Sequence, residues 1–185
     1  MYTDDQEYID LLTSGNPVIF RAFVEAYQHM VINICFRLLL DKQDAEDVAQ
    51  EVFIEVFSSI NQFKANSALS TWLYRIAVSK SLDLLKRKNR KKRFAIISKA
   101  LGNEYMEKNM PENDRPDRLL EGKEQYELLL QAIAILPTNQ RIALSLSKIN
   151  GLRHDEIAAI MGNTTFAVES LIYRARKTLS NKIKK

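Results

Sequence analysis

Apolar residues recur every three or four positions at Phe20, Phe23, Val24, Tyr27, Val31, Ile34 and Leu38, and again at Tyr126, Leu129, Leu130, Ile133, Ala134 and Leu136. That period lays one apolar stripe along an α-helix and suits no strand, whose side chains alternate with a period of two. Only five Gly and four Pro interrupt 185 residues, so long helices meet few breakers. With 46% hydrophobic and 27% charged residues the chain can build a core, which excludes a disordered polyampholyte. The pattern predicts an all-α protein.

Breaks in the period divide the chain. A first helix follows Pro17, LDKQD interrupts it, and Asp44 is placed to cap the next, DAEDVAQEVFIEVF. Asn61 to Ser70 reads as a loop, after which Ser70 or Thr71 can cap TWLYRIAVSKSLDLLKRK. Residues 96–121 carry two Pro, one Gly and mixed charge with no sustained apolar face, and read as a linker with room for a loose helix at its start. Beyond it, helical stretches at Gln140 to Ser147, Asp155 to Met161 and Thr165 to Leu179 are separated by Asn150-Gly151 and Gly162-Asn163. The expected architecture is two small helical domains, 1–95 and 122–185, joined by a flexible linker.

Charge is segregated. The net charge is +4, yet Asp41 to Glu55 holds six acids against one Lys, whereas KRKNRKKR, Lys86 to Arg93, is basic at every position but Asn89. On the helix from Asp44, the acids Asp44, Asp47, Glu51 and Glu55 form one stripe, and Ala45, Ala49, Val52, Val56 and Ile60 form an apolar one. The acidic stripe is either a solvated surface or a docking site. On the helix from Thr71, Trp72, Arg75, Ile76, Ser79, Asp83 and Lys86 share one face, while Leu73, Ala77, Val78, Leu82 and Leu85 turn away. An aromatic ring among cations suits unpaired bases and their phosphates, although a lone Trp also serves as core.

The last two helices have helix-turn-helix proportions, with small Ala158 at the crossing, Gly162 at the turn, and Val168 and Ile172 facing inward. Thr165, Glu169, Ser170, Tyr173, Arg174 and Arg176 would then face outward. Glu169 can accept from a cytosine amino group, and Arg174, Arg176 and Lys177 suit phosphates or guanine. A solvated outer face is the alternative.

Other chemistries find no residues. Cys35 is the only cysteine, set among Ile34, Phe36 and Leu38, and reads as a small core residue in a reducing compartment. His29, expected to be packed, and His154, expected to be exposed at a helix start, lie far apart, and no Gly-rich phosphate loop follows a strand. No enzyme, metal or cofactor is expected. Without an apolar leader or a run long enough to span a bilayer, the protein should be cytoplasmic, with no membrane insertion.

In order and spacing, DAEDVAQEVFIEVF, STWLYRIAVSKSLDLLKRK and ILPTNQRIALSLSKINGLRHDEIAAIMGNTTFAVESLIYRARKTL resemble bacterial sigma-70 family factors of the extracytoplasmic-function (ECF) group. The resemblance implies a region 2 unit over 1–95 and a region 4 unit over 122–185. It implies that Asp44, Glu46, Asp47, Gln50 and Glu51 dock on core RNA polymerase. In the part that melts and reads the −10 element it implies Asn61, Phe63, Lys64, Trp72, Arg75, Ser79, Lys86, Arg87 and Lys88. For the −35 element it implies Thr164, Thr165, Glu169, Ser170, Tyr173, Arg174, Arg176 and Lys177. Promoter DNA, core polymerase and an anti-sigma factor are the implied partners.

Some positions depart from the family pattern. Ser79 stands where relatives often carry Asn, Glu169 and Leu171 replace a common basic pair around the central serine, and Arg153 takes the place of a Ser or Thr cap. A linker of about 26 residues spans roughly 25 to 30 Å when relaxed and about 85 Å when extended, which brackets the roughly 50 Å between two promoter elements. The competing readings are a helix-turn-helix regulator acting without polymerase, and an interaction scaffold that binds no nucleic acid.

Overall fold

The computed structural model describes residues 5–63, 68–100, 128 and 130–183. All regular secondary structure among these residues is helical. A short α1, Asp5–Thr13, absent from the periodicity reading, precedes α2, Pro17–Leu39. Asn16 caps α2 by accepting from the Val18 N–H at 2.9 Å, with Pro17 in the first turn, where a missing N–H costs nothing. The helix ends on Leu40 in the left-handed region, its N–H donating to the Phe36 carbonyl at 2.7 Å.

Leu40 and Asp41 alone connect α2 to α3, Lys42–Ser59, so the two helices run antiparallel. The cap of α3 is Asp41, whose carboxylate accepts from the Asp44 N–H at 2.9 Å; Asp44, the expected cap, lies inside the first turn. After a 3-10 turn, Ile60–Gln62, the long helix α4 spans Leu69–Ala100. It therefore starts before Ser70 and Thr71, the expected caps, and Thr71 is buried. Helix also enters the first part of the expected linker, at residues 96–100; residues 101–121 lie outside the described ones.

The N-terminal core is made by three helices whose apolar stripes meet. Phe23, Val31, Ile34 and Leu38 come from α2, the predicted stripe Ala45, Ala49, Val52, Val56 and Ile60 from α3 and the turn after it, and Leu73, Ala77 and Val78 from α4. Cys35 is fully buried there, and desolvation pushes its thiol up to about 11, which keeps it protonated and inert. His29, expected to be packed, is instead exposed, because its position on α2 falls opposite the stripe that includes Val31, Ile34 and Leu38.

In the C-terminal half, residues 130–134 are helical and Ile133 and Leu136 are buried. Tyr126 and Leu129 of the predicted stripe lie outside the described residues. Three helices follow: α5, Thr138–Lys148; α6, His154–Met161; and α7, Thr165–Ile183. Ile142, Leu146, Ile157, Val168, Ile172 and Ala175 fill their core. Ala158 is buried, and α6 packs on α7. Gly162 ends α6 with φ +61°, and Asn163 N–H closes on the Ala158 carbonyl at 2.9 Å. A Cβ there meets no neighbour, so the cost of Gly162→Ala is purely conformational. We expect a loss of about 1 to 2 kcal/mol, read by chemical denaturation, and no loss would mean the turn relaxes freely.

Candidate polymerase and nucleic-acid interfaces

Helix α3 presents its acids in two directions. Glu46, Asp47, Gln50 and Glu51 are exposed, opposite the buried stripe. Asp44 is only 20% exposed at its side chain because it pairs with Lys88 of α4. Glu55, one turn past Glu51, pairs with Lys80 at 3.3 Å. The two ion pairs stitch α3 to α4 and leave the middle of the stripe open to a partner. Of the expected docking residues, four therefore form one outward patch and Asp44 stands at its edge, facing the basic helix.

The surface of α4 is mixed as predicted, with one adjustment. Arg75, Ser79, Asp83, Lys86 and Arg87 are exposed, but Trp72 and Ile76 are half-buried. The indole lies against Phe63, ring centroids 5.1 Å apart and tilted by 38°, so the turn after α3 and the start of α4 share one aromatic pair. Trp72 touches the core on one side without being enclosed by it. Asn61 is exposed in the 3-10 turn, and Lys64 lies outside the described residues. Lys86 is held by Asp83 at 3.2 Å and Lys88 by Asp44. Arg90 and Lys91 continue the exposed basic track.

On α7 the predicted outward residues are outward. Thr164, Thr165, Glu169, Tyr173, Arg174, Arg176 and Lys177 are exposed and Ser170 is half-buried, while Val168 and Ile172 face the core. Thr164 also caps the helix, its hydroxyl accepting from the Ala167 N–H at 3.2 Å. The Arg174 Nε donates to the Ser170 carbonyl of the preceding turn at 3.2 Å. Glu169 lies 3.5 Å from His154 Nδ1 on α6, which orients the carboxylate across the helix pair. Arg153, a donor-only side chain, cannot cap α6 through its guanidinium. Its backbone N–H donates to Glu156 Oε2 at 2.8 Å and its guanidinium binds Asp155, so α6 keeps half of a capping box.

Helical periodicity carries no signal for the contact between the two halves. Helix α4 packs on α6, and α2 on α5. Asn150, in the turn after α5, accepts from Arg37 Nη1 at 3.3 Å and donates to the Tyr74 hydroxyl at 2.9 Å. Arg75, an expected −10 contact, donates to the Ala159 carbonyl of α6 at 3.0 Å. Asn150→Ala removes two hydrogen bonds of about 1 kcal/mol each. It is expected to raise the radius of gyration in small-angle scattering; an unchanged radius would mean that the apolar contacts and the Arg75–Ala159 bond hold the halves together without Asn150.

Residues 23–91 match the sigma-70 region 2 family and residues 126–179 the sigma-70 region 4 family. The ECF RNA polymerase sigma-E factor of Escherichia coli K12 is 33% identical over 181 residues, covering 97% of this chain and 94% of that one. The chain belongs to the ECF sigma factors.

The RNA polymerase sigma-H factor of Pseudomonas aeruginosa is 32% identical to this sigma factor over 177 residues, 95% of its length and 91% of the relative's. Among solved structures, CnrH in complex with the cytosolic domain of CnrY has a similar fold, with TM-score 0.69 at 22% identity and 97% coverage of both chains. The Bartonella quintana sigma factor RpoE, solved with the anti-sigma factor NepR, gives TM-score 0.67 at 19% identity, covering 89% of this chain and 96% of that one. A match along nearly the whole chain favours a sigma factor over a free-standing helix-turn-helix regulator, because it includes the acidic α3 and the aromatic start of α4. Among the described residues no cluster of His, Cys, Asp and Glu could hold a metal ion, and no helix is long and apolar enough to cross a membrane.

Proposed function

We propose that this ECF sigma factor docks on core RNA polymerase through Glu46, Asp47, Gln50 and Glu51 of α3, with Asp44 at the margin, and that polymerase supplies all catalysis. The unit over 1–95 opens and reads the −10 element with Asn61, Phe63, Lys64, Trp72, Arg75, Ser79 and the basic run Lys86, Arg87 and Lys88. The unit over 122–185 reads the −35 element with α7, and 96–121 links them. The observation that carries this reading is the segregation of charge: exposed carboxylates in the middle of α3 and an aromatic and basic surface on α4, two distinct surfaces that adjoin at the Asp44–Lys88 and Glu55–Lys80 pairs. A protein partner that is positively charged and a nucleic acid can then be bound at once without competing.

Reading both elements requires the halves to part. Their helices α4 and α6 are in contact, with Arg75 bonded to Ala159, whereas the two elements lie roughly 50 Å apart on the duplex. Polymerase and promoter binding must therefore outweigh the Asn150 and Arg75 contacts. Because one solved relative is a complex with an anti-sigma factor, a protein of that kind is proposed as the regulator, acting in the cytoplasm. The deciding experiment is run-off transcription from a genomic library with purified core polymerase. Discrete transcripts that depend on this chain are expected, and none with active core enzyme would refute the reading.

A further inference from the structure

Helix α7 carries an aromatic residue that the basic and polar contacts leave unexplained. Phe166 is 80% exposed, more than any other large hydrophobic residue described, and sits in the first turn of the helix. Spacings of four, three and four residues place Phe166, Ser170, Tyr173 and Lys177 along one line, and the buried Val168, Ile172 and Ala175 lie on the opposite side. The centre of the outward face is thus apolar and aromatic at its N-terminal end, with Tyr173 67% exposed, and cationic farther along at Lys177.

A solvent-exposed benzyl group gains nothing where it stands. In a helix-turn-helix the N-terminal turns of the second helix reach base edges, and cations farther along it reach phosphates. A benzyl group has no donor or acceptor for those edges, and the one apolar group that unmodified DNA presents in its major groove is the C5-methyl of thymine. The cations Arg174, Arg176 and Lys177 on the same helix supply the charge complementarity that seats such a helix on DNA. We infer that Phe166 is a specificity residue that selects thymine in the upstream promoter element by packing on its methyl group. This rests on the reading of α7 as the −35 helix.

Selection of a randomised duplex library by the reconstituted holoenzyme, followed by titration of the selected DNA, tests it. The wild-type protein should enrich an upstream motif containing a thymine whose replacement by deoxyuridine, which lacks only the methyl, weakens binding about three- to tenfold. Phe166→Ala should lose the preference at that position alone and become insensitive to the deoxyuridine substitution, while Phe166→Leu retains part of it. A residue this exposed should leave the melting temperature unchanged, so a binding defect cannot be a folding defect. Retention of the full thymine preference by Phe166→Ala, or equal weakening of both proteins by deoxyuridine, overturns the inference and leaves the −35 role of α7 standing. Failure of the wild-type holoenzyme to enrich any upstream motif overturns both.

Discussion

Replacing Asp47 and Glu51 by lysine is expected to weaken binding to core RNA polymerase by about 3 kcal/mol or more, roughly 150-fold, with little change in folding. Both carboxylates are exposed and neither takes part in an ion pair among the described residues, so the fold loses no internal partner. Exposed charges of this kind contribute about 0 to 1 kcal/mol to stability. At an interface the sign matters far more, because reversal replaces attraction by like-charge repulsion, which costs several kcal/mol. Asp44→Lys should be milder toward polymerase, because its carboxylate is turned to Lys88, and should instead loosen the junction of α3 and α4. Surface-binding kinetics with purified core enzyme, with circular dichroism and thermal melting as controls, provides the measurement. Wild-type affinity in the double variant would remove the acidic helix from the docking role.

Trp72→Ala is expected to reduce open-complex formation about five- to a hundredfold, and to cost less folding stability than a true core tryptophan would. Stacking of an unpaired base on an aromatic side chain is worth about 1 to 3 kcal/mol. The half-buried indole, leaning on Phe63 at 5.1 Å, keeps part of its surface available for a base while the pair holds its ring in place. Deleting a fully enclosed tryptophan costs about 3 to 5 kcal/mol, and a half-buried one should cost well under that. A promoter already unpaired over the −10 element should recover part of the lost activity, since the energy of strand separation no longer has to be found. Permanganate reactivity of promoter thymines reports opening, and thermal melting of the free protein reports stability. A collapse of the melting temperature with no rescue by the unpaired template would make the indole a core residue and end its role in opening.

Much of this protein is legible without coordinates because helices are local. The stripe Ala45, Ala49, Val52, Val56 and Ile60 is buried as its spacing requires, and so are Val168 and Ile172, while Gly162 takes the left-handed turn that ends α6. Caps were less legible. Asp41 rather than Asp44 closes α3, since several Asp and Ser residues near a helix start can each accept from an N–H and only the backbone path selects one. His29 is exposed because its helical phase sets it opposite the stripe of Val31, Ile34 and Leu38, so its place was already legible in the period.

What the chain order by itself determined was the helices after α1, the faces they bury, and the separation of acidic, aromatic and basic surfaces that marks an ECF sigma factor. Only the tertiary structure decided which of those charged and polar groups are already occupied. Asp44 meets Lys88, Asn150 bridges Arg37 and Tyr74, and Arg75 reaches the Ala159 carbonyl, each across 44 residues or more. Periodicity describes which side of a helix faces the core, but the crossing angle and register between helices arise from how ridges of side chains settle into grooves. Those are properties of the packed assembly, and they place Asn150 between two helices more than seventy residues away in sequence.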